Sequence, residues 1–187
     1  MAQAPLTAEE LAEIERKFDP ESAFRSTGPW IGAVITAGLV AMSVYHFYAS
    51  GFALIQELTH RGIHLSFVLG LVFLLFSWRK SLSTDIAPRA WYRVDGVPIT
   101  DILLALLGIG AAMYLPLLPS AALAQRVGNP SPGDVFMGTA LLLLTLEASR
   151  RSVGITLPLI GLAFIGFALF GPYMPGALKH GGASWSG

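Results

Sequence analysis

The stretch STGPWIGAVITAGLVAMSVYHFYASGFALI, Ser26 to Ile55, contains no Asp, Glu, Lys or Arg and decides how the rest of the chain is read. A bilayer core of roughly 30 Å requires about 20 apolar helical residues, and this run exceeds that length. Four further apolar stretches follow: Gly62 to Trp78, Ile102 to Gln125, Val135 to Leu146 and Ser152 to Leu178. The second is just long enough to span. The fourth reaches about 17 residues, the lower limit for a span, only when extended over Gly133 and Asp134 and on to Ser149. The sequence therefore predicts an all-α membrane protein with about five transmembrane helices. Composition agrees, with 53% apolar and 13% charged residues and a mean hydropathy of +0.61, too little polar surface to cover a soluble domain of this length. A net charge of zero offers no nucleic-acid footprint, and the absence of cysteine excludes disulfides, thiolate metal sites and cysteine nucleophiles. Met1 leads into an acidic, polar segment, so no cleavable signal is expected.

The basic residues alternate between connecting segments. Arg16, Lys17, Arg25, Arg79, Lys80, Arg89, Arg93, Arg150 and Arg151 fall on one side of the five stretches, against Arg61, Arg126 and Lys179 on the other. Lys and Arg are enriched in short cytoplasmic loops, so the N-terminus is expected in the cytoplasm and the C-terminus outside. Before the first stretch, Thr7 and Glu10 have capping-box spacing, and Leu11, Ile14 and Phe18 recur on one face until Pro20. Leu6 to Asp19 is read as a short amphipathic helix. Its acidic polar face suits a partner protein or the chain's own loops better than an anionic leaflet. Trp30, Tyr45, Tyr48, Trp78, Trp91, Tyr92 and Tyr173 lie near span ends, where aromatic residues anchor at the interface. Of these, Trp30, Trp78, Trp91, Tyr92 and Tyr173 are the assigned anchors. Arg89 to Val97 reads as an interfacial loop, and Asp101 as a helix-start carboxylate favoured by the dipole.

Few polar residues are candidates for chemistry. Glu57, His60 and His64 share a helical face at metal-ligand spacing. They supply only one carboxylate and Gly62 interrupts the set, so they are read as interface histidines and no metal ligand is assigned. His46 stands alone in the first stretch and reads as a hydrogen-bonded helix contact. Glu147, with Arg150 three residues on and Arg151 four residues on, forms a candidate structural charge cluster where the fourth span ends. There is no phosphate-binding loop, dinucleotide fingerprint or nucleophile elbow, so no catalytic residue and no enzymatic activity is assigned. Substrate-binding residues stay unidentified. Glycines and alanines such as Gly32, Gly38, Gly108, Ala111 and Gly161 permit close helix packing.

Four runs carry a family resemblance: RGIHLSFVLGLVFLLF (Arg61 to Phe76), RVGNPSPGD (Arg126 to Asp134), LEASRRSVGITLPLIGLAF (Leu146 to Phe164) and FGPYMPGALKHGG (Phe170 to Gly182). Together they resemble the TRAP transporters (tripartite ATP-independent periplasmic), and more narrowly the small-subunit-like N-terminal part of the TAXI-type fused permeases. The resemblance implies a non-catalytic scaffold subunit of a sodium-coupled, binding-protein-dependent importer of organic anions such as carboxylates, in a bacterial inner membrane with a periplasmic C-terminus. It implies as partners a large multi-span permease subunit, a periplasmic substrate-binding protein and the lipid bilayer. It implies no cofactor here, because sodium would bind only in the large subunit. On this reading residues 1–25 are a cytoplasmic segment, 26–149 a four-span domain, and 150–187 a fifth span with an outer tail resembling the start of the large subunit. A fused permease would continue beyond Gly187, so either a separate chain supplies the large subunit or the polypeptide has been cut. Outer-loop residues Gln56, Glu57, Arg61, Gln125, Arg126 and Asn129 are candidate docking positions, with Gly128 and Pro130 shaping the second loop; the bland reading of that loop is an ordinary connection. A stand-alone metal-binding protein or enzyme, and a small oligomeric carrier, are the rival functions.

Overall fold

The computed structural model describes residues 24–78 and 92–185 and is built almost wholly of helices. Leu6 to Asp19, and Arg79, Lys80, Arg89 and Trp91, lie outside the described residues. Helix α1 (Pro29–Gly51) begins with Pro29, whose fixed φ suits a first turn and whose missing N–H costs nothing there. A short link leads to α2 (Glu57–Leu75). These two helices are long and apolar enough to cross a membrane. A two-residue hairpin pairs β1 (Arg93–Val94) with β2 (Val97–Pro98), in register Arg93 to Pro98 and Val94 to Val97. Asp95 and Gly96 form its turn with φ of 50° and 90°, the left-handed pair that an Asp-Gly turn supplies.

The third apolar stretch does not form one helix. It divides into α3 (Ile99–Tyr114) and a short α4 (Ser120–Arg126). Pro116 and Pro119 lie between them, where proline removes backbone donors and ends a helix. Helix α5 (Pro132–Ser152) starts at a capping box in which the Ser131 hydroxyl accepts from the Asp134 N–H and the Asp134 carboxylate accepts from the Ser131 N–H. It runs without a break through 149 and 150, so the boundary expected there falls inside a helix. Gly154, at φ 100°, follows its end. Helix α6 (Thr156–Leu169) is shorter than the expected span, because Gly171, Pro172 and Pro175 convert the remainder into two single 3₁₀ turns. Five full-length apolar spans are thus not what the described helices provide: α3 and α6 are apolar but shorter, and α5 carries four charged residues.

The core lies where α2, α3 and α5 meet, built from Leu69, Phe73, Ala105, Leu144 and Ala148. Helices α1 and α6 flank it; in α1 only Ile35 is buried and in α6 only Pro158. Small residues bring α2 against α3. A Cβ at Gly62 would lie 2.4 Å from Pro116 Cγ and 2.9 Å from the Ala112 carbonyl oxygen. Gly62, which breaks the polar face of α2 in sequence, is therefore the point where the α3 backbone fits. Replacing Gly62 with Val is expected to lower stability by about 1–3 kcal/mol through overpacking. Gly110→Ala, which opens onto free space, should be neutral or stabilising by up to about 1 kcal/mol. Thermal unfolding of the two variants in detergent tests the contrast.

Candidate functional site: a buried charge network

At one end of the bundle, three parts of the chain deliver charged side chains to a common interior position. Asp101, in the first turn of α3, is 4% exposed. Its Oδ1 accepts from Arg151 Nη1 at 2.9 Å, and its Oδ2 forms a close ion pair with Arg25 Nη2. The Arg151 side chain, on the last turn of α5, is 1% exposed. It also donates through Nε to Glu147 Oε1 at 2.7 Å. Arg150 grips the same carboxylate with two bonds of 2.8 Å, from Nε to Oε2 and from Nη2 to Oε1, the bidentate geometry in which Arg–carboxylate pairs are strongest. The spacings of three and four residues from Glu147 thus place both arginines on it. Asp101, Arg25 and Arg151 were not grouped by sequence spacing, because their ion pairs join residues 76 and 50 positions apart.

Three arginines against two carboxylates leave one excess positive charge, and the end of α2 receives it. Arg25 donates from Nε to Ser77 Oγ and from Nη2 to the Phe76 carbonyl, both at 3.3 Å. Arg151 Nη1 also reaches the Phe76 carbonyl at 3.4 Å, and Arg150 Nη2 the Trp78 carbonyl at 3.3 Å. Carbonyls at a helix C-terminus carry partial negative charge and lack intrahelical donors, so cations are favoured there. The Arg150 guanidinium also lies 4.6 Å from the Trp78 ring centre, and that of Arg151 5.0 Å from Phe73, within cation–π range. Trp78, assigned as an interface anchor, is therefore also a platform for the network. Burial lowers the pKa of the Arg25 guanidinium and the Asp101 carboxylate opposes that shift. Its Nη1 has no hydrogen-bond partner among the described residues.

The N-terminal approach is held by backbone. Arg25 N donates to the Leu75 carbonyl at 2.6 Å, and the Phe24 and Phe76 rings meet edge to face at 5.0 Å. The hairpin then caps α1: Gly28 N donates to Asp95 O at 2.9 Å and Ile31 N to Asp95 Oδ2 at 2.8 Å. A Cβ at Gly28 would stand 1.8 Å from Asp95 Oδ1, so any larger residue would displace the capping carboxylate. Within the segment read as an interfacial loop, Asp95 thus caps the first long helix.

The candidate docking residues sit at the opposite end. Gln56, Glu57, Arg61, Gln125 and Asn129 are exposed. Glu57 and Arg61 form an exposed ion pair with each other, a contact of small energetic value. Arg126 is tied inward: Nη1 donates to Asp134 Oδ1 at 2.6 Å and to the Tyr114 hydroxyl at 3.1 Å. The hydrogen bonds to Tyr114 and Asp134 raise its pKa. Arg126 therefore shapes its loop more than it offers a free cation. Trp30 and Tyr173 are strongly exposed and Tyr92 about half-exposed.

Guanidinium groups stay protonated in proteins, so the network's arginines act as fixed charges, and what the arrangement does is lock helix ends together. Breaking a buried pair from one side leaves an uncompensated charge. Asp101→Asn is expected to cost on the order of 3–5 kcal/mol. Glu147→Gln, at a partly exposed position, should cost about 1–3 kcal/mol. Denaturant or thermal unfolding of both variants checks that order, and equal losses would contradict it.

No protein-family model, curated protein or solved structure matches the chain.

Proposed function

We propose that the chain is a non-catalytic membrane scaffold subunit of a secondary transporter, of the TRAP type that its sequence runs resemble, importing organic anions with a sodium gradient and a periplasmic binding protein. The observation that carries the reading is the pairing of a charge-locked bundle end with two flanking helices whose apolar faces point outward. Helix α1 exposes Trp30, Val34, Val40, Val44 and Phe47, and α6 exposes Leu157, Leu159, Ile160, Leu162 and Phe164. Faces of this kind require lipid or another membrane helix. Helix α1 is capped beside the network and α6 follows directly from the network-bearing α5, while both remain almost unburied, as a brace for a larger moving subunit requires.

In this reading α3, α5 and α6 also cross the bilayer, the shorter ones by local thinning or oligomer packing. The arginine network faces the cytoplasm by the excess of basic residues. Gln56, Gln125 and Asn129 then lie on the periplasmic side, free to meet a binding protein, and α6 makes the first contact with the large subunit. Sodium and substrate sites belong to that partner.

The test is co-expression with a long multi-span permease encoded next to this chain, followed by affinity purification and uptake in proteoliposomes. The expected outcome is a stoichiometric complex whose sodium-dependent uptake falls at least tenfold when this chain is omitted. Uptake by this chain alone would instead establish a small carrier, and no complex with any permease would defeat the scaffold assignment.

A further inference from the structure

At the end of the bundle opposite the buried charge network, α1 and α2 bring three histidines together. His46 comes from α1, and His60 and His64 lie four residues apart on α2. His46 Nε2 and His64 Nδ1 are 2.9 Å apart. His46 Nδ1 is 2.7 Å from the Met42 carbonyl oxygen; a carbonyl only accepts, so Nδ1 carries the proton and Nε2 presents its lone pair. His60 Nδ1 is 3.1 Å from the Tyr45 hydroxyl, which leaves its Nε2 as the nitrogen open to a ligand. Metal-binding imidazoles are held in this way, one nitrogen fixed by a carbonyl or other polar partner and the other facing the ion.

The spacing of the rings is compatible with one shared ion. With metal–nitrogen bonds of about 2.0–2.1 Å, two ligating nitrogens stand about 2.9 Å apart at a right angle and about 3.3 Å apart at a tetrahedral one. Ring centres of two imidazoles on one tetrahedral ion are then roughly 5 Å apart. The His46 ring centre lies 5.0 Å from that of His64 and 5.5 Å from that of His60. Among the described residues no group of three such ligands is already arranged to hold a metal ion, so closure requires a turn of the His60 ring, a widening of the His46–His64 pair by about 0.4 Å, and movement of the His64 proton from Nδ1, where it bridges to His46 Nε2, to its own Nε2. Glu57 is not part of the set: its carboxylate is held by Arg61 on the exposed side of the helix.

We infer that His46, His60 and His64 form a binding site for a divalent transition-metal ion of the zinc type, which enters from the exposed side of His64 and staples the end of α1 to α2. Water would complete a tetrahedral shell. This site is independent of the transporter reading.

The full chain, purified in detergent and stripped with chelator, is titrated with Co²⁺ and followed by its visible d–d absorption, with Zn²⁺ as competitor. The expected result is saturation at one ion per chain with the intense bands of tetrahedral coordination. His46→Gln, His60→Gln and His64→Gln should each weaken binding at least about tenfold, while Glu57→Gln leaves it unchanged. In the wild-type protein, free of any folding defect, Zn²⁺ should shift the ¹⁵N resonances of His46 Nε2, His60 Nε2 and His64 Nδ1 and spare those of His180. Absence of saturable binding, full affinity in His60→Gln, or an equal loss in Glu57→Gln would overturn the site.

Discussion

One carboxylate, that of Asp101, stands between two arginines from distant parts of the chain, and the arrangement of the bundle end depends on it. Each oxygen takes a different guanidinium. An isolated carboxylate at 4% exposure would be expensive to ionise, and either arginine alone would be as costly to bury. Together they fix the segment before α1, the start of α3 and the end of α5 to within hydrogen-bond tolerance. The carbonyls at the end of α2 absorb the positive charge that remains. A small displacement of any one element would leave a buried charge unpaired, so the register of all four is set by a cost that grows steeply with error.

Apolar contact could not set that register by itself. In the proposed membrane arrangement, an apolar side chain gains little by facing a helix instead of an acyl chain, so association would rely on close packing and polar contacts. The bundle has both. Glycine and alanine on α2 and α3 allow the backbones to approach, as at Gly62 against Ala112 and Pro116, and Phe73 and Leu69 fill the space beside α5. Charge pairing then selects one sliding position among those that close packing would tolerate. Arg151 belongs to both systems, bonded to Asp101 and Glu147 while lying over the Phe73 ring of the core.

Much of this was legible in the sequence, and the gaps have physical causes. Apolar run length locates α1, α2 and α5, and the i+3 and i+4 spacing identifies Glu147 with Arg150 and Arg151. Run length fails for the third and fifth stretches, because hydropathy averages over Pro116, Pro119, Pro172 and Pro175, whose effect is on backbone hydrogen bonding. Asp101 satisfies two roles, helix-start carboxylate and ion-pair centre, and only the first is local. Pairing with Arg25 and Arg151 is set by tertiary structure, which no spacing rule encodes. One signal was available: Arg25, Arg150 and Arg151 share a side of the charge map with Asp101, and together with Glu147 these five residues nearly balance. His46, read as a hydrogen-bonded helix contact, does bond across to α2, but its partner His64 could not be named for the same reason, since α1 and α2 must be folded together before they share a location.

Helix α1 shows what these polar contacts accomplish together. It buries only Ile35, so apolar packing alone gives it little reason to keep one position against α2. Its start is capped by Asp95 and the hairpin, which leads directly into the helix that carries Asp101. Near its other end, His46 meets His64 and Tyr45 meets His60. The helix is thus fixed at two points about 15 residues apart, roughly 22 Å along the axis at 1.5 Å per residue, while most of its length stays open to lipid or a neighbouring helix. The start of α1 is tied to the ion-pair end of the bundle, and its far end is held by ring contacts that the proposed metal ion would replace.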